Sequence, residues 1–181
     1  MQRLLLLDDD PSILKALQRE LRPPFARVLT IDACTSGDEA LLLGELHFYD
    51  LVVSDLRMPV MDGMTFLRRF AKLQPNSVRL MLTGSADFAT AQQAVNQLGV
   101  YRYLTKPWTT TELVDHMHSA LDHARAEQKR RESASSWEAS RGLITPQEAE
   151  RRRLEAIEPG LTRVERDEHG FVIMPSLDEG A

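Results

Sequence analysis

Cysteine, long apolar runs and an excess of basic residues are scarce or missing in this chain of 181 residues. Its single cysteine, Cys34, excludes an internal disulfide and fits a reducing compartment. No apolar run approaches the ~20 residues that span a bilayer, and the opening run is too short for a secretory signal. We therefore expect a cytoplasmic protein with no membrane partner. The formal net charge of -5 argues against broad contact with nucleic acid, which requires a basic face.

The rest of the composition is that of an ordinary globular protein. Hydrophobic residues make up 43% of the chain and charged residues 27%. This length suffices for one well-buried α/β core and leaves little for a second large domain. The composition therefore predicts one domain with an appendage.

Short apolar runs alternate with amphipathic helical patterns through the first two thirds of the chain. Each run reads as a strand buried on both faces of a parallel sheet, and each amphipathic pattern reads as the crossover helix that a parallel connection requires. The pattern predicts a doubly wound α/β fold with five parallel strands. The predicted strands are Leu4 to Leu7, Val28 to Ala33, Asp50 to Ser54, Val78 to Leu82 and Tyr101 to Leu104.

Chemically active side chains follow these strands at the edge where an open parallel sheet binds its ligands. Asp8 and Asp9 end the first strand, Asp55 the third, Thr83 the fourth, and Lys106 follows the fifth. Three carboxylates this close stay ionised only if cations offset their repulsion. A small site of oxygen ligands suits Mg²⁺, which binds through one or two carboxylates plus a phosphate. An aspartate can also act as the nucleophile in phosphoryl transfer, and Asp55 is the best placed.

Four segments together give the chain a family resemblance: LLLLDDDPSI, DLVVSDLRMPVMDG, MLTGS and YRYLTKPW. In this order, each at the end of a predicted strand, they resemble the receiver domain of two-component response regulators. The resemblance covers residues 1–123 and implies a flavodoxin-like sheet of order 2-1-3-4-5. It implies that a histidine kinase phosphorylates Asp55. It also implies that Mg²⁺ is held by Asp9, Asp55 and the backbone carbonyl of Arg57, with Asp8 contributing through water.

The resemblance assigns roles to three further residues. It implies that Lys106 contacts the phosphoryl group across a cis bond to Pro107, and that Thr83 and Tyr103 form a switch pair. A plainer interpretation remains for each member of the pair: Thr83 caps the next helix, and Tyr103 is an aromatic packing on an edge strand. Arg57 and Ser85 stand where receivers tune the lifetime of the phosphoryl group.

Beyond the receiver, the chain is predicted to form an appendage of three parts. Residues 124–142 continue the last receiver helix and form a linker, residues 143–158 form a short helix, and residues 159–181 form a β-hairpin and tail. So few large apolar residues cannot build a core of their own. We expect the appendage to dock on a second copy as a homodimer, or to fold back on its own receiver.

The predicted function is a phosphoacceptor signalling protein, with no enzymatic chemistry beyond gaining and losing its phosphoryl group. Phosphorylation should alter the face formed by the helix predicted over 87–98, the fifth strand and the helix from Thr110, and thereby a contact with a downstream protein that the sequence leaves unidentified. Two alternatives remain open. One is an atypical DNA-binding transcriptional regulator, and the other is a non-catalytic relative of a cyclic-di-GMP phosphodiesterase regulator.

Overall fold

A five-stranded parallel sheet forms the centre of the molecule. The structure, a computed structural model, describes residues 1–84 and 98–157. The strands are β1 (Gln2–Leu7), β2 (Leu29–Cys34), β3 (Leu51–Asp55), β4 (Val78–Gly84) and β5 (Arg102–Lys106), in the order β2-β1-β3-β4-β5. Every neighbouring pair is parallel. The predicted fold class and strand order are confirmed.

Helices cover both faces of this sheet and extend the chain beyond it. They are α1 (Pro11–Phe25), α2 (Gly37–Leu46), α3 (Gly63–Leu73), α4 (Thr110–Ser140) and α5 (Pro146–Ile157). Three sequence predictions fall outside the described residues: most of the helix over 87–98, Ser85, and the β-hairpin over 159–181. Among the described helices, none is long and apolar enough to cross a bilayer.

The apolar run of β1 divides the core into two layers. Leu4 and Leu6 pack with the residues of α1 and α4, whereas Leu5 and Leu7 pack with those of α2 and α3. All four side chains are at most 1% exposed. Successive strand residues point to opposite faces, so an unbroken apolar run is buried on both sides. Burying each leucine contributes about 1.5–3 kcal/mol, which fixes the register of the polar residues that follow.

Polar caps fix where the helices near the carboxyl edge begin. Asp10 is the N-cap of α1 and accepts a hydrogen bond of 2.8 Å from the Ser12 N–H. Its carboxylate satisfies an amide that the first turn leaves without a partner. Asp62 caps α3 in the same way, through the Thr65 N–H at 2.7 Å.

Two helix ends differ in detail from the sequence pattern. The pattern ends α1 at Arg22 and the two prolines, but the helix continues through Pro23 and Pro24 to Phe25. Phe25 is 1% exposed within the core, and its burial outweighs the helix-breaking tendency of the prolines. The serine before α2, Ser36, is a residue type that commonly caps helices and is the N-cap here, but its side chain makes no capping bond.

The last receiver helix projects beyond the core. The buried side chains of α4 end at Ala124, although the helix runs on to Ser140. Gly142 then adopts a φ of 69°, a left-handed conformation suited to glycine after a helix. An ion pair of 2.7 Å between Arg152 of α5 and Glu138 joins the two helices. The division of the appendage into separate segments stays a prediction.

Candidate functional site

Lys106 brings two carboxylates together at the carboxyl edge of the sheet. Asp8 directly follows β1, Asp55 ends β3, and Lys106 ends β5. The Lys106 Nζ lies 2.6 Å from Asp8 Oδ2 and 2.5 Å from Asp55 Oδ1. Because the strands are parallel, residues far apart in the sequence end at one edge, as the sequence pattern predicted.

Backbone amides occupy the remaining oxygens of both carboxylates. Asp8 Oδ1 accepts from the Asp10 N–H at 3.0 Å, and Asp55 Oδ2 accepts from the Arg57 N–H at 2.6 Å. The two aspartates are 1% and 5% exposed, respectively. All four oxygens are therefore hydrogen-bonded, which orients the carboxylates and offsets part of the cost of burying them.

The electrostatics of the cluster favour a charged lysine. Burial opposes the charge on Lys106, but the hydrogen bonds to Asp55 and Asp8 outweigh it and raise the pKa of Lys106 above its usual value. Burial also raises the pKa of Asp8, and the hydrogen bond from Lys106 opposes this rise only in part. The buried carboxylate of Asp8 is therefore costly to ionise, and a second cation beside it would lower that cost.

A tight backbone turn positions Asp55. The Leu56 N–H donates to the Leu82 carbonyl at 2.9 Å, and the Gly63 N–H donates to the Leu56 carbonyl at 3.0 Å. A Cβ on Gly63 would collide with the Asp55 carbonyl oxygen, so this position requires glycine. The sequence analysis missed this role of Gly63. The signal that could have revealed it is the Asp62-Gly63 pair that opens α3.

The same loop contains a strained residue. Val60 has a φ of 66° and is fully exposed. A β-branched residue rarely adopts a left-handed conformation, and such strain tends to occur at functional sites. Val60 is therefore held in this conformation by the turn around it, where the Met61 N–H donates to the Pro59 carbonyl at 2.6 Å.

The two residues of the predicted switch pair lie in neighbouring strands. Thr83 is 1% exposed, and its Oγ1 donates to the Gly84 carbonyl at 3.1 Å. Tyr103 of β5 is half-buried and packs against the core layer beneath α2 and α3. Its register partner in β4 is Met81, two residues before Thr83. The pair is adjacent across the sheet, and its action as a switch stays a prediction.

The predicted Mg²⁺ ligands lie at or just after the ends of β1 and β3, at the carboxyl edge of the sheet. Asp9 is exposed, and its side chain makes no hydrogen bond or ion pair with any residue in 1–84 or 98–157. No three His, Cys, Asp or Glu side chains in these ranges converge as a metal cage. Mg²⁺ needs no such cage, because it keeps several waters and uses one or two carboxylates plus a phosphate. Asp8 and Asp55 against the single ammonium of Lys106 leave one negative charge, so the pair suits a divalent cation, and the part of Asp9 as a further ligand stays a prediction.

A hydrogen bond that the sequence did not reveal joins the segment after Lys106 to α1. The Lys106–Pro107 bond is cis, as the resemblance implied. The indole N–H of the next residue, Trp108, donates to Glu20 Oε2 at 3.1 Å, and its ring packs against the core layer of α1 and α4. Lys106 thus lies at the end of β5, which pairs with β4, and just before Trp108, which is bonded to α1.

Comparison with known proteins identifies the family of this chain. The family model described as the response regulator receiver domain matches residues 4–118. The C4-dicarboxylate transport transcriptional regulatory protein DctD of Rhizobium meliloti (strain 1021) is 33% identical over 156 residues, which are 86% of this chain and 29% of that protein. The transcriptional regulatory protein GlrR of Escherichia coli (strain K12) is 38% identical over 121 residues, which are 67% of this chain and 26% of that protein. The chain therefore spans less than a third of the length of these curated relatives.

Solved structures show the same fold. The signal receiver domain of an HD domain-containing protein from Pseudomonas fluorescens Pf-5 is 36% identical with a TM-score of 0.66, covering 71% of this chain and 93% of that one. A structure described as adenylate cyclase from Rhodopirellula baltica is 32% identical with a TM-score of 0.68, covering 74% of this chain and 96% of that one. With the fold, the site geometry and the family match in agreement, this chain belongs to the response regulator receiver domain family of two-component signalling.

Proposed function

We propose that this chain accepts a phosphoryl group on Asp55 from a histidine kinase and passes the signal on through a phosphorylation-dependent protein contact. The observation that carries the proposal is the placement of Lys106 within 2.6 Å of carboxylate oxygens of both Asp8 and Asp55. A lysine held between two buried carboxylates is a cation placed to sense a change of charge on one of them.

The transfer is a displacement at phosphorus. A carboxylate oxygen of Asp55 forms the new P–O bond, the P–N bond of the kinase phosphohistidine breaks, and the imidazole leaves with the electron pair. The product is an acyl phosphate on Asp55. Water later attacks the phosphorus and releases inorganic phosphate, which restores the carboxylate.

The other residues of the site stabilise charge. Lys106 pairs with an oxygen of the phosphoryl group in place of its present bond to Asp55, and the Thr83 hydroxyl turns from the Gly84 carbonyl to donate to another. Asp9, Asp55 and the Arg57 carbonyl would hold Mg²⁺, with Asp8 acting through water. Bound there, the ion supplies charge neutralisation on the phosphoryl oxygens.

The change at Thr83 reaches the surface through Tyr103. Thr83 lies in β4 beside β5, and Tyr103 in β5 is only half-buried, so its ring can shift when Thr83 moves. We place the regulated protein contact on the face formed by β5 and α4.

Phosphorylation is tested by incubating the full chain with Mg²⁺ and a small-molecule phosphodonor, followed by intact mass measurement. We expect one added phosphoryl group, none in Asp55→Asn, and a normal level in Asp122→Asn, where an exposed aspartate of α4 is changed. Undiminished labelling of Asp55→Asn would refute the site.

DNA binding is the second candidate for the output. Both named relatives are transcriptional regulators, which keeps nucleic acid among the partners to be tested despite the acidic net charge of this chain. A gel shift at physiological salt, with and without phosphodonor, separates this output from a protein contact. Turnover of a cyclic dinucleotide would instead favour the other alternative, a relative of a cyclic-di-GMP phosphodiesterase regulator.

A homodimer through the appendage is the partner contact that we propose for the chain itself. Most residues of α5 are exposed or half-buried, and the contact of α5 with α4 includes the ion pair of Arg152 with Glu138. Leu154 of α5 is only half-buried, so part of this apolar side chain is available to a second copy. Light scattering on the full chain and on a chain truncated after Arg141 tests this: a dimer that becomes a monomer on truncation supports it. Two monomers, with and without phosphodonor, would exclude it.

A further inference from the structure

A second cavity lies at the end of the sheet opposite to Asp55. It has a volume of about 210 Å³ and lies beside the start of β4, the segment leading into β5, and the outer part of α4. Ser77, Arg79, His123 and Arg131 are among the residues that line it. None of these residues takes part in the phosphoacceptor site described above.

Hydrogen-bond donors without partners concentrate in this cavity. Over residues 1–84 and 98–157, five buried side-chain polar atoms lack a hydrogen-bond partner. Three of the five, Ser77 Oγ, Arg79 Nε and Arg131 Nε, belong to residues that line it. An unpaired buried polar group costs about 1–3 kcal/mol, so three in one place indicate that a ligand completes the structure.

The cavity also has positive charge that the described residues leave uncompensated. The terminal nitrogens of Arg79 donate to three backbone carbonyls, which bear no net charge, and burial lowers the pKa of Arg79. Neither Arg79 nor Arg131 forms an ion pair with a described residue. Glu127 lines the cavity, but its carboxylate pairs with Arg130 at 2.9 Å. Two arginines therefore line a space whose one acidic lining residue among those described, Glu127, is already paired.

Size and charge together define the ligand. Pockets for drug-sized molecules have volumes of about 300–1,000 Å³, and a water molecule occupies about 30 Å³, so this cavity suits a small ion with a few waters. Guanidinium N–H groups and a hydroxyl are matched by a ligand rich in acceptor oxygens. We propose that this cavity binds an inorganic oxyanion of the size of phosphate or sulfate through Ser77, Arg79 and Arg131.

Such an anion would connect the sheet to the projecting part of α4. Arg131 lies beyond Ala124, the last buried residue of α4, whereas Ser77 directly precedes β4 and Arg79 is the second residue of β4. An oxyanion bonded to all three residues would hold the part of α4 around Arg131 against the start of β4. Binding should therefore stabilise the folded chain and leave phosphorylation of Asp55 unaffected.

The proposal is tested by calorimetric titration of the full chain with inorganic phosphate, and separately with sulfate. The buffer contains no Mg²⁺, and chloride keeps the ionic strength constant. We expect one site with a Kd of about 1 mM or tighter. Arg131→Gln should weaken binding at least about tenfold, equivalent to about 1.4 kcal/mol, and Ser77→Ala should weaken it in the same direction. Arg125→Gln is the matched control, because Arg125 is exposed on the same helix, pairs with Asp122 and does not line the cavity.

Asp55→Asn separates this site from the phosphoacceptor site and should bind phosphate as the wild-type chain does. A titration without saturable heat means that water alone fills the cavity, which would overturn the proposal. Equal affinity in Arg131→Gln and Ser77→Ala, or loss of binding in Asp55→Asn, would overturn it too. Ser77→Ala keeps both arginines and decides the question if Arg131→Gln does not fold.

Discussion

The Lys106 Nζ lies 2.5 Å from the Oδ1 of Asp55, although the two residues end strands that are separated by β4 in the sheet. A residue of β5 reaches across the edge of β4 to the end of β3. The length of the lysine side chain makes this possible, and the turn into Pro107 and Trp108 fixes the backbone from which it extends.

Lys106→Ala should preserve Mg²⁺ binding but slow phosphorylation and impair the phosphorylation-dependent protein contact. Loss of the ammonium leaves Asp8 and Asp55 without their shared cation, so affinity for Mg²⁺ should persist or increase. Phosphorylation by the small donor should slow by about 10- to 100-fold, because one charge that stabilises the transferring group is gone. Calorimetry and a mass-based time course measure the two effects, with the exposed Lys129→Ala as control. Normal phosphorylation-dependent partner binding in Lys106→Ala would contradict the role of this lysine.

Asp8→Asn should change how stability depends on pH. Burial raises the pKa of Asp8 above its usual 3.8. At a pH between 3.8 and the raised pKa, the folded chain therefore holds a proton that the unfolded chain releases. That contribution to the free energy of unfolding is fully present below about 3.8 and is lost as the pH rises through the raised pKa. Asp8→Asn lacks the titrating group and should gain stability relative to wild type as the pH rises to neutrality.

Urea unfolding at a series of pH values measures this difference. Asp122→Asn, which changes an exposed side chain on α4, should follow the wild-type profile. Identical pH profiles for Asp8→Asn and wild type would show that the burial of Asp8 has no thermodynamic consequence.

Gly63→Ala should damage the acceptor loop. The new Cβ would meet the Asp55 carbonyl oxygen and the Leu56 Cα, both backbone atoms that cannot turn aside. We expect a loss of about 1–3 kcal/mol or more in the free energy of unfolding, together with slower phosphorylation. Gly37→Ala is the matched control, since its Cβ would meet the flexible side chain of Met61. Equal stability of the two variants in urea would contradict the steric role of Gly63.

Cys34 should be protected from thiol reagents in the folded chain. Its side chain is buried, the thiol lies 3.7 Å from the Leu6 carbonyl oxygen, and burial raises the pKa of Cys34 to about 12. Since the thiolate is the reactive form, alkylation at pH 8 should be at least about 100-fold slower than in urea. Ser136→Cys in a Cys34→Ala background provides an exposed thiol for comparison. Similar rates for the two cysteines would mean that the core around Cys34 opens readily.

Much of the fold and the composition of the site could be predicted because they follow local patterns. The leucine run of β1 is typical of a strand buried on both faces, and a parallel sheet brings its end to the same edge as the ends of β3 and β5. The sequence therefore predicts that Asp8, Asp55 and Lys106 lie together at one edge of the sheet.

The remaining features depend on contacts that no local pattern reveals. The bond from Trp108 to Glu20 joins residues 88 positions apart, and its existence depends on how α1 packs against α4. Gly63 is required because of the Asp55 backbone, which a Cβ would strike. The oxyanion cavity likewise combines Arg79 of β4 with Arg131 of α4, and each looks like an ordinary surface arginine in the sequence.

The most direct test of the central claim is to locate the acyl phosphate within the chain. After phosphorylation with Mg²⁺, borohydride reduction converts the modified aspartate to homoserine, and peptide mass spectrometry identifies the position. We predict that homoserine appears at position 55 only, and that it disappears when Mg²⁺ is removed with a chelator. Homoserine at position 8 or 9 instead, or no modification at position 55 in a fully folded chain, would contradict the assignment of Asp55 as the phosphoacceptor.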